Sequence, residues 1–97
     1  MSATRMPSDS HDWTELTGRQ IVLDMSSPYV VLGQLDEVGP TFLRLSDADI
    51  HDLRDSRTTR ELYVLEARHH GIRGNRRQVW VRIAEIVSLS LLADVLE

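Results

Sequence analysis

Cysteine is absent from these 97 residues, and so is lysine. The first absence excludes disulfides, thiolate metal ligands and a cysteine nucleophile. The second leaves arginine as the whole basic complement, a planar fork suited to carboxylates and phosphates. Aromatic residues are scarce at 5%, with a single phenylalanine. No run approaches the roughly 20 apolar residues that span a bilayer, and the first ten residues carry no apolar stretch of the signal-peptide kind. There is no glycine-rich phosphate loop, and no serine and histidine spacing singles out a nucleophilic triad. The net charge of -4 removes the basic surplus that drives tight electrostatic binding of nucleic acid. The expectation is a soluble cytoplasmic protein with no membrane partner and, in the absence of any catalytic constellation, a non-enzymatic one.

What remains supports one small core. At 41% hydrophobic content a chain of this length buries about two-thirds of its unfolded surface. We expect a single domain over residues 11–97 behind a disordered tail of residues 1–10. Ile21, Val22 and Leu23 form a short first strand between Gly18 and the loop residues Asp24, Ser26, Ser27 and Pro28. A second strand runs over 29–38, with Gly33 marking a bend or close backbone approach. Gly39 and Pro40 turn the chain into a third strand, Phe42 to Ser46, whose Leu43 and Leu45 share a face. Val79, Val81 and Ile83 alternate with Trp80 and Arg82 in a fourth strand, and Val87, Leu89 and Leu91 alternate with Ser88 and Ser90 in a fifth.

Between the third and fourth strands the pattern changes. Thr58, Thr59, Arg60 and Glu61 spell a capping box. Leu62 and Leu65, with Tyr63, Val64 and Ala67 alongside, then give an apolar face, Arg68, His69 and His70 place cations in the last turn, and Gly71 can supply a left-handed cap. This predicts a helix over Thr59 to His70 that docks through Leu62 and Leu65.

These features together resemble the Sm-like family of small, strongly bent five-stranded barrels, whose signals SH3-like barrels largely share. Asp12 to Leu16 matches the family's short N-terminal helix, Leu16-Thr17-Gly18 its turn into strand one, and Gly33-Gln34-Leu35 its bent second strand. The second family motif, an apolar strand ending in Arg-Gly before another apolar strand, matches Val79 to Arg82 followed by Ile86 to Leu91, with Ile83 in place of glycine. Ile72-Arg73-Gly74-Asn75 repeats that wording, but the helix signals around it place it in a loop. The resemblance implies a mainly β barrel with one inserted helix, assembled into a homo-oligomeric ring by pairing strand four with strand five of the next subunit. Trp80, Val81 and Leu89 would then lie at the interface.

The resemblance also implies RNA as a partner. The family's RNA pocket uses an Asp and an Asn in the turn between strands two and three, plus the motif arginine. Here that turn reads Val38, Gly39, Pro40, Thr41, Phe42, and only Arg82 carries over. RNA binding is therefore expected to be weak, with Phe42 available for stacking and Arg73, Arg76 and Arg77 available for phosphates or an acidic partner. Two readings of other classes stand beside it. Asp47, Asp49 and His51 project to one side of an extended backbone, and with Asp55 they could hold a divalent cation in a metal-dependent enzyme or ligand-binding module. The alternative is a solvated loop paired with Arg54, Arg57 and Arg60. A plain SH3-like protein-interaction module is the third reading.

Overall fold

Ile21, Val22 and Leu23 are all buried, a pattern that requires both faces of their strand to be covered. The computed structural model describes residues 10–55 and 57–97 and shows what covers them. Five strands form one antiparallel sheet: β1 (Gln20–Met25), β2 (Tyr29–Val38), β3 (Phe42–Asp52), β4 (Arg76–Arg82) and β5 (Ile86–Leu91), in the order β4-β3-β2-β1-β5. One helix, α1 (Arg60–His70), is inserted between β3 and β4. Short 3-10 helices occupy Ser10–Leu16, Ile83–Glu85 and Leu92–Asp94. The mainly β bent barrel expected from the sequence is the observed architecture. Of the tail expectation, residues 1–9 lie outside the described residues, and Ser10 opens the first 3-10 helix.

The inner face of the sheet closes on Ile21, Leu23, Val31, Leu35, Leu43, Leu45, Ala48 and Val81, with Trp13 from the first 3-10 helix added to them. The two short motifs at the start of β1 and in β2 are hydrogen-bonded to each other. Gly18 N–H donates to Leu35 O at 2.7 Å, and Leu35 N–H donates to Arg19 O at 2.9 Å. Gly18 has φ +89°, a conformation that costs glycine little and other residues more. At Gly33 a Cβ would stand 3.1 Å from Ala48 Cβ and 3.1 Å from Leu45 Cδ2, so the missing side chain is what lets β2 fold down on β3.

Four strands differ from the sequence expectation: β1 runs on through Asp24 to Met25, β4 opens at Arg76 in what reads as a basic loop and ends at Arg82 before Ile83, and β3 and β5 change phase. β3 does not end near Ser46 but runs on to Asp52. Its pairing with β2 shifts from Gln34 opposite Ser46 to Leu32 opposite Asp49, and Asp47 sits there at φ +48°. The extra residue changes the phase of the strand without ending it. β5 carries a similar shift: Ser88 pairs with Asp24, but Ile86 pairs with Met25, and this leaves Val87 outside the alternation. Val87 is 70% exposed, while Leu89 and Leu91 pack against the interior.

The outer face of β1 and β2 makes a second apolar cluster, in which Val22, Val30 and Leu32 meet Val64 and Ala67 of α1 and Leu92 of the C-terminal segment. The helix is docked, but not through the expected stripe. Leu62 is 48% exposed, and the buried positions are Val64 and Ala67 with Tyr63 beside them. Small side chains let the helix axis come close to a sheet face already filled by β-branched residues. The cap also moves by one residue. Thr59 is the N-cap, and its hydroxyl accepts the Leu62 N–H at 3.2 Å. Gly71, at φ +88°, returns its N–H to Ala67 O at 2.8 Å.

Val64→Ala should destabilise the fold by about 2 kcal/mol, the transfer cost of two methyl groups plus the cavity left. Leu62→Ala should cost less than about 1 kcal/mol. Equal denaturant midpoints for the two variants would show that the helix does not dock through Val64. In the same assay Thr59→Ala should cost about 1 kcal/mol as a lost cap; a larger loss for Thr58→Ala would return the cap to the position read from the sequence.

Candidate functional site

The phase change at Asp47 decides where the polar residues of β3 go. Asp47 is exposed at the bulge and lines a shallow hollow with Gly74, Asn75, Arg76 and Arg77. Asp49 and His51, two and four residues on, belong to the outer side of the sheet beneath α1. The His51 ring stacks on Tyr63 with centroids 4.0 Å apart and planes 11° apart. The Tyr63 hydroxyl donates to Asp49 Oδ2. Burial first, then this bond to a carboxylate, push the Tyr63 hydroxyl well above the usual phenol range, so it stays a donor at any physiological pH.

Asp55 lies in the turn beyond β3, where its N–H donates to Asp52 O at 3.2 Å. Arg54 organises that turn. It grips Asp52 through both guanidinium and backbone, with Nη2 2.9 Å from Oδ2 and the N–H 2.9 Å from Oδ1. These bonds hold the Asp52 carboxyl down at about 2. Among the described residues, no three histidine or acidic side chains come together in a metal-binding group. Asp47, Asp49, His51 and Asp55 are thus not the ligand set that strict alternation predicts, because the bulge parts Asp47 from the next two and the turn carries Asp55 away.

The arginines are dispersed in the same manner. Arg73 borders a cleft against α1, Arg76 and Arg77 border the hollow beside Asp47, and Arg82 lies at the far end of β4 with its guanidinium 5.8 Å from the Phe42 ring centroid. Arg76 and Arg82 open and close a seven-residue strand, which separates them by about 20 Å. Arg82 and Phe42 are paired across β4 and β3, as are Trp80 and Arg44. These four side chains share the outer face of the sheet, beside a groove lined by Pro40, Thr41, Phe42, Arg44 and Trp80. Trp80 is 58% exposed, as its parity opposite Val79 and Val81 implies. Val81 is buried and Leu89 is packed inward, so of the three expected interface residues only Trp80 presents its side chain, while the other two offer backbone.

One polar concavity escaped the sequence reading. A cleft of about 250 Å³ lies between α1 and the outer face of β2 and β3, lined by Leu32, Asp49, Tyr63, Glu66, Ala67, His70, Gly71 and Arg73. Tyr63, Glu66 and His70 follow helical i, i+3 and i+7 spacing, and that was the available signal. It carried no chemistry until the bulge had placed Asp49 opposite. Asn75 completes the frame: its side-chain amide accepts the Ile50 N–H at 3.2 Å and donates to Ile50 O at 3.1 Å, and so fixes the chain that carries Arg73.

No family model and no curated protein matches this sequence. Solved structures do match its fold. An Sm protein of Pyrococcus abyssii, solved in complex with a uridine heptamer, superposes with a TM-score of 0.58 at 9% identity, over 86% of this chain and 96% of that one. An Sm-like protein of Archaeoglobus fulgidus gives 0.58 at 16% identity, over 93% of this chain and 99% of that one. Two Sm-like structures thus share the architecture of this five-stranded sheet over most of its length at very low identity: this chain has the Sm-like fold.

Proposed function

We propose that the chain assembles into a homo-oligomeric ring by pairing β4 of one copy with β5 of the next, and that this ring binds single-stranded RNA weakly. The observation that carries the reading is the state of the two outer strands. Among the described residues β4 pairs only with β3 and β5 only with β1, and each is left with a free edge of backbone donors and acceptors. Free edges are a liability unless paired or blunted. Each of these strands also bears one of the most exposed large apolar side chains of the described residues, Trp80 on β4 and Val87 on β5. A head-to-tail contact that closes by rotation covers every such edge at once.

The RNA reading is supported by the uridine heptamer bound to the Pyrococcus protein and by Phe42 with Arg82 stacked over it, an aromatic and a cation suited to a base and its phosphate. The acidic net charge and the dispersal of the arginines keep the expected affinity low. Among the described residues no helix is long and apolar enough to cross a membrane.

Sedimentation of the wild-type chain should give a closed multimer, and Trp80→Glu should reduce it to monomer with an unchanged circular dichroism spectrum. A folded Trp80→Glu chain of full wild-type mass would remove Trp80 from the interface, and a wild-type monomer would remove the ring.

Fluorescence anisotropy with a labelled oligouridylate should show affinity falling by orders of magnitude between about 50 and 200 mM salt, with Arg82→Gln lowering the salt slope by about one. Tight, salt-insensitive binding would mean that base recognition replaces the electrostatic mode.

A further inference from the structure

The cleft under α1 lies on the outer face of β2 and β3, and none of its lining residues belongs to β4 or β5, the two outer strands. We infer that it is a binding site for a small zwitterion of the free α-amino acid class, with the ammonium group held by Asp49 and Glu66 and the carboxylate by Arg73.

Three observations converge on this chemistry. The first is size: at about 250 Å³ the cleft falls below the roughly 300 to 1,000 Å³ of sites for larger ligands, and it admits a molecule smaller than a nucleotide. The second is the layout of the walls. Leu32 and Ala67, both buried in the cluster beneath α1, give an apolar floor. Asp49 and Glu66 supply carboxylates, and Arg73 supplies a guanidinium. The acidic side is reinforced by the C-terminal end of α1 at His70 and Gly71, where the last carbonyls favour a cation.

The third is that these charges do not satisfy one another. Among the described residues, Arg44, Arg54, Arg60 and His69 all make ion pairs. Glu66 and Arg73 line one cleft, and among the described residues neither is in an ion pair. A ligand with one charge of each sign matches a cleft that holds two carboxylates together with Arg73 and His70; a simple cation leaves Arg73 unmatched, and a simple anion faces two carboxylates. Tyr63 preorganises the acidic side. Its hydroxyl donates to Asp49 Oδ2, and this fixes the carboxylate and leaves Oδ1 free to accept from an ammonium. The rigid stack of Tyr63 on His51 holds the phenol in place.

The test is an NMR titration of the full chain with L-leucine, whose side chain suits the Leu32 and Ala67 floor. Saturable shifts should be confined to amides of α1, Gly71 to Arg73 and Asp49. N-acetyl-L-leucine, which lacks the ammonium, and L-leucinamide, which lacks the carboxylate, should bind at least about tenfold more weakly, as expected for loss of one charged hydrogen-bonding partner. Glu66→Gln and Arg73→Gln, both at exposed positions, should keep the wild-type spectrum elsewhere and lose affinity by the same factor. Leu62→Gln, on the outer side of the helix, should bind as wild type. The inference is overturned if no saturable shift occurs by tens of millimolar, if either capped derivative binds as well as L-leucine, if both charge variants bind like wild type, or if uridine monophosphate moves the same amides more strongly.

Discussion

The close crossing of β2 over β3 at Gly33 is the constraint on which the other parts depend. A Cβ at Gly33 would stand 3.1 Å from Ala48 Cβ and Leu45 Cδ2, so any side chain there would push these neighbours apart. That approach forces a sharp bend, and the bend is relieved on the β3 side by the extra residue at Asp47. Everything downstream inherits the new phase. Leu43 and Leu45 fill the interior before the bulge; Ala48 and Ile50 do so after it; and Asp49 and His51 are turned outward to meet a helix. Gly74 packs on the same spot, with a would-be Cβ 3.1 Å from the Asp47 carbonyl carbon, so the chain returning from α1 is seated on the bulge itself.

The strands and their order of appearance were legible because period-two alternation and glycine punctuation are local signals. So was the parity of Trp80, which needed only its neighbours Val79 and Val81. What could not be read was phase. A bulge adds one residue and inverts every later assignment, and nothing in the run Asp47 to Asp52 announces it. The reading of Asp47, Asp49 and His51 as one group took all three to share a side, with the strand ending or bulging near Ser46; the shift falls at Asp47 itself, which takes positive φ and lines a different hollow from Asp49. Val87 failed for the same reason on β5. On α1 the difficulty was different. Leu62 and Leu65 are the most hydrophobic residues of the helix, yet the face was chosen by fit against Val22, Val30 and Leu32, which favoured Val64 and Ala67. Hydrophobicity alone does not rank candidate faces when the partner surface is unknown.

The site illustrates how an acidic small domain can present chemistry without a catalytic motif. Its charged groups are sorted by the fold into separate surfaces: the paired turn of Arg54 and Asp52, the hollow beside Asp47, the stacked Phe42 and Arg82, and the cleft of Asp49, Glu66 and Arg73. Counting arginines along the sequence suggested one basic patch, but β4 spreads them over its length.

The double hydrogen bond from the Asn75 amide to Ile50 has a consequence for how such a domain can vary. It brings the two ends of the intervening segment together as closely as a ladder rung would, with the backbone polar groups of Ile50 already satisfied. Everything between these two residues is then a loop closed on itself, and closure entropy grows only as about 0.6 kcal/mol per doubling of length. A tight turn and a two-dozen-residue excursion therefore differ by little, and the apolar contacts of α1 exceed the difference. Past Asp52, where β3 leaves β2, the excursion can change in length while the strands keep their pairing, so new recognition surfaces can arise here with β4 and β5 left alone.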